Sequence, residues 1–154
     1  MLFLIFQVGM DRYAVEAAQV VEVLPLVNTK QIPRAPLGVT GVFDYHGTPV
    51  PLFDLSELLV GTPSRKWMST RIILVNHRRS SGNIHLIGFL AEHSTETMRL
   101  SEEDFKSSGV AVADAPYLGP VLSDAAGIIQ RIVVQDLLDD NIGRQLFSEQ
   151  VESL

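Results

Sequence analysis

The chain has 154 residues, 46% of them apolar and 19% charged, with a formal net charge of −6 and no cysteine. That length suits one domain or two small subdomains sharing a core, and the composition is that of a globular protein. Disulfides and thiolate metal sites are excluded, the acidic balance argues against general nucleic-acid binding, and no apolar run nears the roughly 20 residues of a membrane span.

Met1 to Phe6 lacks the basic start and small-residue cleavage site of a signal peptide. It reads as the beginning of a strand, Phe3–Val8, that ends at the turn Gly9–Arg12. Tyr13–Val15 resumes the strand, Glu16–Gln19 fits one helical turn, and Val20–Leu24 is a further strand broken by Pro25. Asn28–Pro36, with Pro33 and Pro36, is a connector with one short strand. Gly41–Leu55 is the most ordered stretch. Its centre, Tyr45-His46-Gly47-Thr48, is the pattern of a tight β-hairpin, in which Gly47 accepts a positive φ and His46 tolerates one. Pro49 and Pro51 donate no hydrogen bond, so the second strand should lie at an edge or turn those positions outward. Asp54 fits a helix N-cap, Glu57 its capping-box partner, and Leu58 and Leu59 the apolar face of a short helix.

Gly61–Ser64 interrupts the pattern. Arg71–Asn76 is a short, almost wholly apolar strand expected to be buried on both faces. His77–Asn83 is a polar tip and Ile84–Glu92 the returning strand. Ser101–Phe105 starts another helical turn, Val110–Pro120 is irregular, and Gly127–Val134 is a strong strand. A helix is expected over 136–152, with Ile142, Leu146, Phe147 and Val151 on one face. An internal repeat adds to this: Gly119–Leu138 follows the order of Gly41–Leu59, with Gly127 answering Gly47, Ile129 answering Val50 and Leu137-Leu138 answering Leu58-Leu59. The repeat lacks the prolines, as a strand buried between others would require. It predicts two similar β subdomains divided near 61–68.

Gly41, Val42, Asp44, Gly47, Val50, Pro51, Asp54 and Leu55 together resemble the signature of CheW-like domains, adaptor modules of bacterial chemosensory arrays. In that family a Gly-Val-apolar-Asn/Asp-apolar-Arg-Gly hairpin precedes a Val-Pro-apolar-apolar-Asp-Leu strand; His46 stands here where the family has arginine. The resemblance implies a mostly β fold for 1–154 as a single domain. It would comprise two small five-stranded SH3-like β-barrel subdomains around a shared hydrophobic core, with short helices and a C-terminal helix. It also implies a non-enzymatic, cytoplasmic adaptor recruited to receptor arrays at the inner membrane, without inserting into it. Its partners would be the cytoplasmic tip of a methyl-accepting chemoreceptor and the regulatory domain of a CheA-type histidine kinase. The family's receptor groove maps by position onto Val20, Glu22 and His46, with Phe89, placed in the second subdomain, lining the same groove.

Read without the resemblance, Val20 is a core residue and Glu22 a solvated strand residue. His77 and His85 are expected to be structural, and His46, His77, His85 and His93 show no metal-ligand spacing. Asp139-Asp140 and Glu102-Glu103-Asp104 fit solvated helix ends. There is neither a phosphate loop nor a nucleophile elbow, so no enzyme, catalytic residue, metal or cofactor is expected. Arg78-Arg79 is a soluble loop tip that offers at most a weak basic contact for an anionic partner. The alternative function is a free-standing β-barrel module that binds a small molecule or peptide, which would need a cavity with convergent polar groups.

Overall fold

A computed structural model describes residues 1–65, 68–79, 82–110 and 115–138. In chain order the elements are β1 (Leu2–Val8), β2 (Asp11–Glu16), a 3₁₀ turn (Ala17–Gln19), β3 (Val20–Pro25), β4 (Val39–Tyr45) and β5 (Thr48–Asp54). There follow α1 (Leu55–Val60), β6 (Arg71–Arg78), β7 (Ile84–Ala91), β8 (His93–Arg99) and a 3₁₀ turn (Glu102–Asp104). Last come β9 (Leu118–Asp124), β10 (Gly127–Ile132) and a 3₁₀ turn (Val134–Asp136). The helix expected over 136–152 lies outside the described residues, apart from its first three positions. Of these, Asp136 ends the last 3₁₀ turn and Leu137 and Leu138 are buried.

The strands form two five-stranded sheets, as the family resemblance implies. A terminal sheet, ordered β8-β1-β2-β10-β9, is built from both ends of the chain. A central sheet, ordered β3-β6-β7-β5-β4, takes the chain's middle. The expected division near 61–68 therefore does not separate the two halves of the fold. Strands on both sides of it belong to the central sheet, and the chain passes between sheets at Ala17–Gln19 and at Glu92 instead. The cause is the parallel pairing of β5 with β7 and of β10 with β2, which no tight hairpin can supply.

Both sheets follow one plan, and the sequence repeat is its trace. In each, an edge strand joins an antiparallel hairpin, the hairpin's second strand takes a parallel neighbour, and that neighbour pairs with the strand before it. The chain leaving β3 crosses to β4 through paired Lys30 and Val42 bonds of 2.8 Å, and the chain leaving β8 crosses to β9 through Lys106 and Val121 bonds of the same length. These bridges bring the two edges of each sheet together. Gly41 beside the first bridge has no room for a side chain, since a Cβ would lie 2.2 Å from the Lys30 carbonyl oxygen.

The β4–β5 turn has φ of 50° at His46 and 88° at Gly47, the hairpin geometry read from the sequence. β5 is not an edge strand, but β7 pairs with it only from Leu52, beyond both prolines. In the repeat, Gln130 occupies the place of Pro51 and is itself paired with Tyr13 of β2. Both strands thus lie between neighbours, and it is the earlier start of the parallel pairing of β10, at Ile129, that disfavours proline there. Asp54 caps α1 as expected, accepting from Ser56 N at 3.1 Å, but its other bonds come from Ser64 N (2.8 Å) and Ser64 Oγ (2.5 Å). Among the described residues no bond from Glu57 completes the expected box; the capping box that does form is Ser101 with Asp104.

Strand alternation partitions the core into three layers. Phe3 and Ile5 of β1 fill the inside of the terminal sheet with Ala14, Phe105, Leu122 and Ile129. Ile72 and Leu74 of β6 fill the central sheet with Phe43, Val50, Leu52 and Leu90. The intervening positions, Leu4 and Phe6 on one strand and Ile73 and Val75 on the other, meet in a third cluster between the sheets, with Phe53, Leu55, Phe89 and Ile132. Ile72 through Val75 are all fully buried, as a strand covered on both faces must be.

His77 continues this inner face of β6 and is 2% exposed, a core residue rather than part of the loop tip. Its Nε2 lies 3.1 Å from the Gln135 carbonyl oxygen, so that nitrogen carries the hydrogen, while Nδ1 is buried without a partner among the described residues. The bond ties the central sheet to the 3₁₀ turn that follows the terminal sheet's last strand. Burial lowers the pKa of His77 below the ordinary histidine value; the Gln135 bond and Asp136 oppose the shift, and His85 and Arg79 reinforce it. The folded ring is therefore neutral where the unfolded ring, with a pKa of about 6.5, begins to bind a proton. Stability from this residue is present above about pH 7 and is lost as pH falls below about 6.5 through the lowered folded value. Urea midpoints measured at pH 7.5 and 5.5 should fall on acidification, and fall less in His77→Gln, which keeps a donor and does not titrate. Equal falls in both proteins would show that His77 does not carry the effect.

Candidate partner-binding face

One exposed rim gathers most of the candidate residues. β3 is an edge strand paired only with β6, and its register slips between Val20, opposite Val75, and Glu22, opposite Leu74. Val21 is the extra residue of this bulge. The slip moves Val20 onto the face of Val75, toward the inter-sheet core, and Glu22 onto the face of Leu74, toward the mouth of the central sheet. Val20 is half-buried against the shared core, so its reading as a core residue is partly right. Val21 and Val23 stand outward, 43% and 37% exposed, which gives an apolar strip beside an acidic side chain.

Across the mouth stands the β4–β5 hairpin. Its Tyr45 packs against the central sheet's inner cluster and sends its hydroxyl to Oε1 of Glu22 at 2.8 Å. That bond raises the Tyr45 phenol above its ordinary pKa, with desolvation and the charge of Glu22 acting in the same sense. His46 is exposed at the tip, its ring edge-on to Tyr45 with centroids 4.4 Å apart. Val20, Glu22 and His46 thus lie on the two edges of one sheet, joined through Tyr45. The sequence reading passed over Tyr45, because the family pattern asks only for an apolar residue there; a tyrosine at an apolar hairpin position, with an acid on a neighbouring strand, was the available signal.

Phe89 does not join this surface. It is fully buried on β7, a middle strand of the central sheet, with its ring 5.4 Å from that of Phe6 in the shared core. Its assignment to a second subdomain misplaced it, since β7 pairs with β6 and β5 of the same sheet that carries Val20 and His46. The Arg78-Arg79 pair does not present two cations either, as Arg79 is buried at 8% exposure. Among the described residues the side chains inside both sheets are packed: Val50, Leu52, Ile72 and Leu74 are at most 1% exposed, as are Phe3 and Ile129. Among the described residues no group of histidines and acids could hold a metal ion.

The comparisons agree with this architecture. The family described as CheW-like domain matches residues 2–141. The chemotaxis protein CheW of Helicobacter pylori is 29% identical over 103 residues, which span 66% of this chain and 59% of that protein's length. The crystal structure of the scaffolding protein TtCheW from Thermoanaerobacter tengcongensis superimposes with a TM-score of 0.79 at 20% identity, over 91% of this chain and 88% of that one. The signature hairpin, the paired sheets and the family match over nearly the whole sequence lead to one conclusion: this chain belongs to the family of CheW-like domains.

Proposed function

We propose that this protein is a non-enzymatic adaptor of a bacterial chemosensory complex, working in the cytoplasm at the receptor array. It joins the cytoplasmic tip of a chemoreceptor to the regulatory domain of a CheA-type histidine kinase. The observation that carries this reading is the rim itself, where the Val20–Val23 strip lies beside Glu22, with Tyr45 and His46 facing it across the mouth of the sheet. Aliphatic area supplies contact and a charge at its edge supplies register, the usual division of labour at an interface. Phe89, fully buried in the core between the sheets, is not part of this surface. Family membership, and relatives named as a chemotaxis protein and a scaffolding protein, support the same reading. The packed interiors weigh against the alternative of a ligand-binding barrel.

Calorimetry of the purified protein with the receptor's cytoplasmic fragment and, separately, with the kinase regulatory domain tests the proposal. Both should bind with Kd of about tens of micromolar or tighter. Glu22→Lys should weaken receptor binding about tenfold or more while the kinase titration stays unchanged, since reversing a rim charge rarely unfolds a domain. Absence of binding to both partners would refute the adaptor function, and equal losses for both would mean that the groove is misplaced.

His46 gives a second prediction. Arginine is a permanent cation whose planar fork holds a carboxylate through two bonds, whereas histidine is shorter and makes one bond through each ring nitrogen. His46→Arg should therefore shift preference toward receptors that pair with the family's common arginine. In competition between cognate and non-cognate receptor fragments, the affinity ratio should move about fivefold or more. An unchanged ratio would leave His46 as a turn residue alone.

A further inference from the structure

The bond between Tyr45 and Glu22 spans opposite edges of the central sheet and joins side chains 23 positions apart in sequence. Its donor is anchored. The Tyr45 ring packs on the inner cluster around Phe43, Leu52 and Leu74, so the core sets where the hydroxyl sits. His46 lies edge-on against the same ring, with centroids 4.4 Å apart. Its acceptor is an exposed glutamate that would otherwise sample many rotamers, and among the described residues Tyr45 is the partner recorded for it. A carboxylate held in advance loses less side-chain entropy when a partner docks.

The clamp also shapes what can dock. A guanidinium fork uses both oxygens of a carboxylate, whereas an ammonium group is satisfied by one. With Oε1 accepting from the Tyr45 hydroxyl, Oε2 of Glu22 has no hydrogen-bond partner among the described residues, on an exposed strand that also carries the exposed Val21 and Val23. We propose that Tyr45 is a positioning residue that sets the specificity of this rim: it holds Glu22 so that one oxygen is offered, selecting a partner segment that presents a lysine-like single donor beside aliphatic side chains. This inference rests on reading the rim as the receptor-docking surface and names the chemistry that surface selects.

Tyr45→Phe removes only the hydroxyl and keeps the ring packed against the inner cluster, so it tests the clamp without opening a cavity. Receptor-fragment binding should weaken about three- to tenfold in Tyr45→Phe, and Tyr45→Phe/Glu22→Gln should bind no more weakly than Glu22→Gln alone, because the hydroxyl acts through the carboxylate. Kinase-domain binding and the thermal melt serve as controls and should not change. Substituting the receptor fragment's lysines one at a time by alanine should reveal one whose effect vanishes in Glu22→Gln. Unweakened binding by Tyr45→Phe, additive losses in the double variant, or coupling of Glu22 only to an arginine would each overturn the proposal while leaving the adaptor function standing. Failure of the unaltered protein to bind the receptor fragment at all would overturn both.

Discussion

The structure depends on two strands that are apolar on both faces. β1 places Phe3 and Ile5 inside its own sheet and Leu4 and Phe6 in the layer between sheets; β6 does the same with Ile72 and Leu74 on one side and Ile73 and Val75 on the other. Each such strand has to be covered twice, once by the curl of its own sheet and once by the other sheet. Neither sheet can therefore bury its apolar surface alone, and the two form one cooperative body. The polar tie from His77 to the Gln135 carbonyl sits on the same inner face of β6 and fastens the end of the terminal sheet to the central one.

The candidate rim follows from that arrangement. β3 runs along β6 at the edge of the central sheet, so its bulge sends Val20 toward the inter-sheet layer and Glu22 toward the sheet's mouth. The hairpin that faces Glu22 is held by the Lys30–Val42 bridge, which in turn demands a glycine at position 41. The same plan recurs in the terminal sheet, where Asp124, paired with Gly127 as Tyr45 is with Thr48, stands in place of the aromatic ring and Ala125 in place of the imidazole. Strand order is shared by the two copies, while the turns differ, with positive φ at His46 and Gly47 in one and at Gly127 in the other. The side chains suited to a polar, register-setting contact are concentrated on one of them.

Much of this was legible in the residues. The β4–β5 turn was readable because only a few residue types accept positive φ, and the Asp54 cap because its chemistry is local. The two-sided burial of β6 showed in an unbroken apolar run, and the repeat in glycine and leucine spacing. What was not legible depended on which strands are neighbours. Strand alternation says that Phe89 is buried on one face, but only the pairing of β7 between β6 and β5 says that this face meets Phe6 across the seam. The crossing of the chain between sheets, the burial of His77 and Arg79, and the reach of Tyr45 to Glu22 are long-range facts of the same kind. A local pattern carries no term for them.

Reconstitution with receptor-bearing vesicles tests the bridging role most directly. The kinase should sediment with the vesicles when this protein is present and remain in the supernatant when it is omitted, with kinase activity following the sedimented fraction. Sedimentation of the kinase to the same extent without the protein would contradict that role. So would a protein that sediments with the vesicles while the kinase stays in solution.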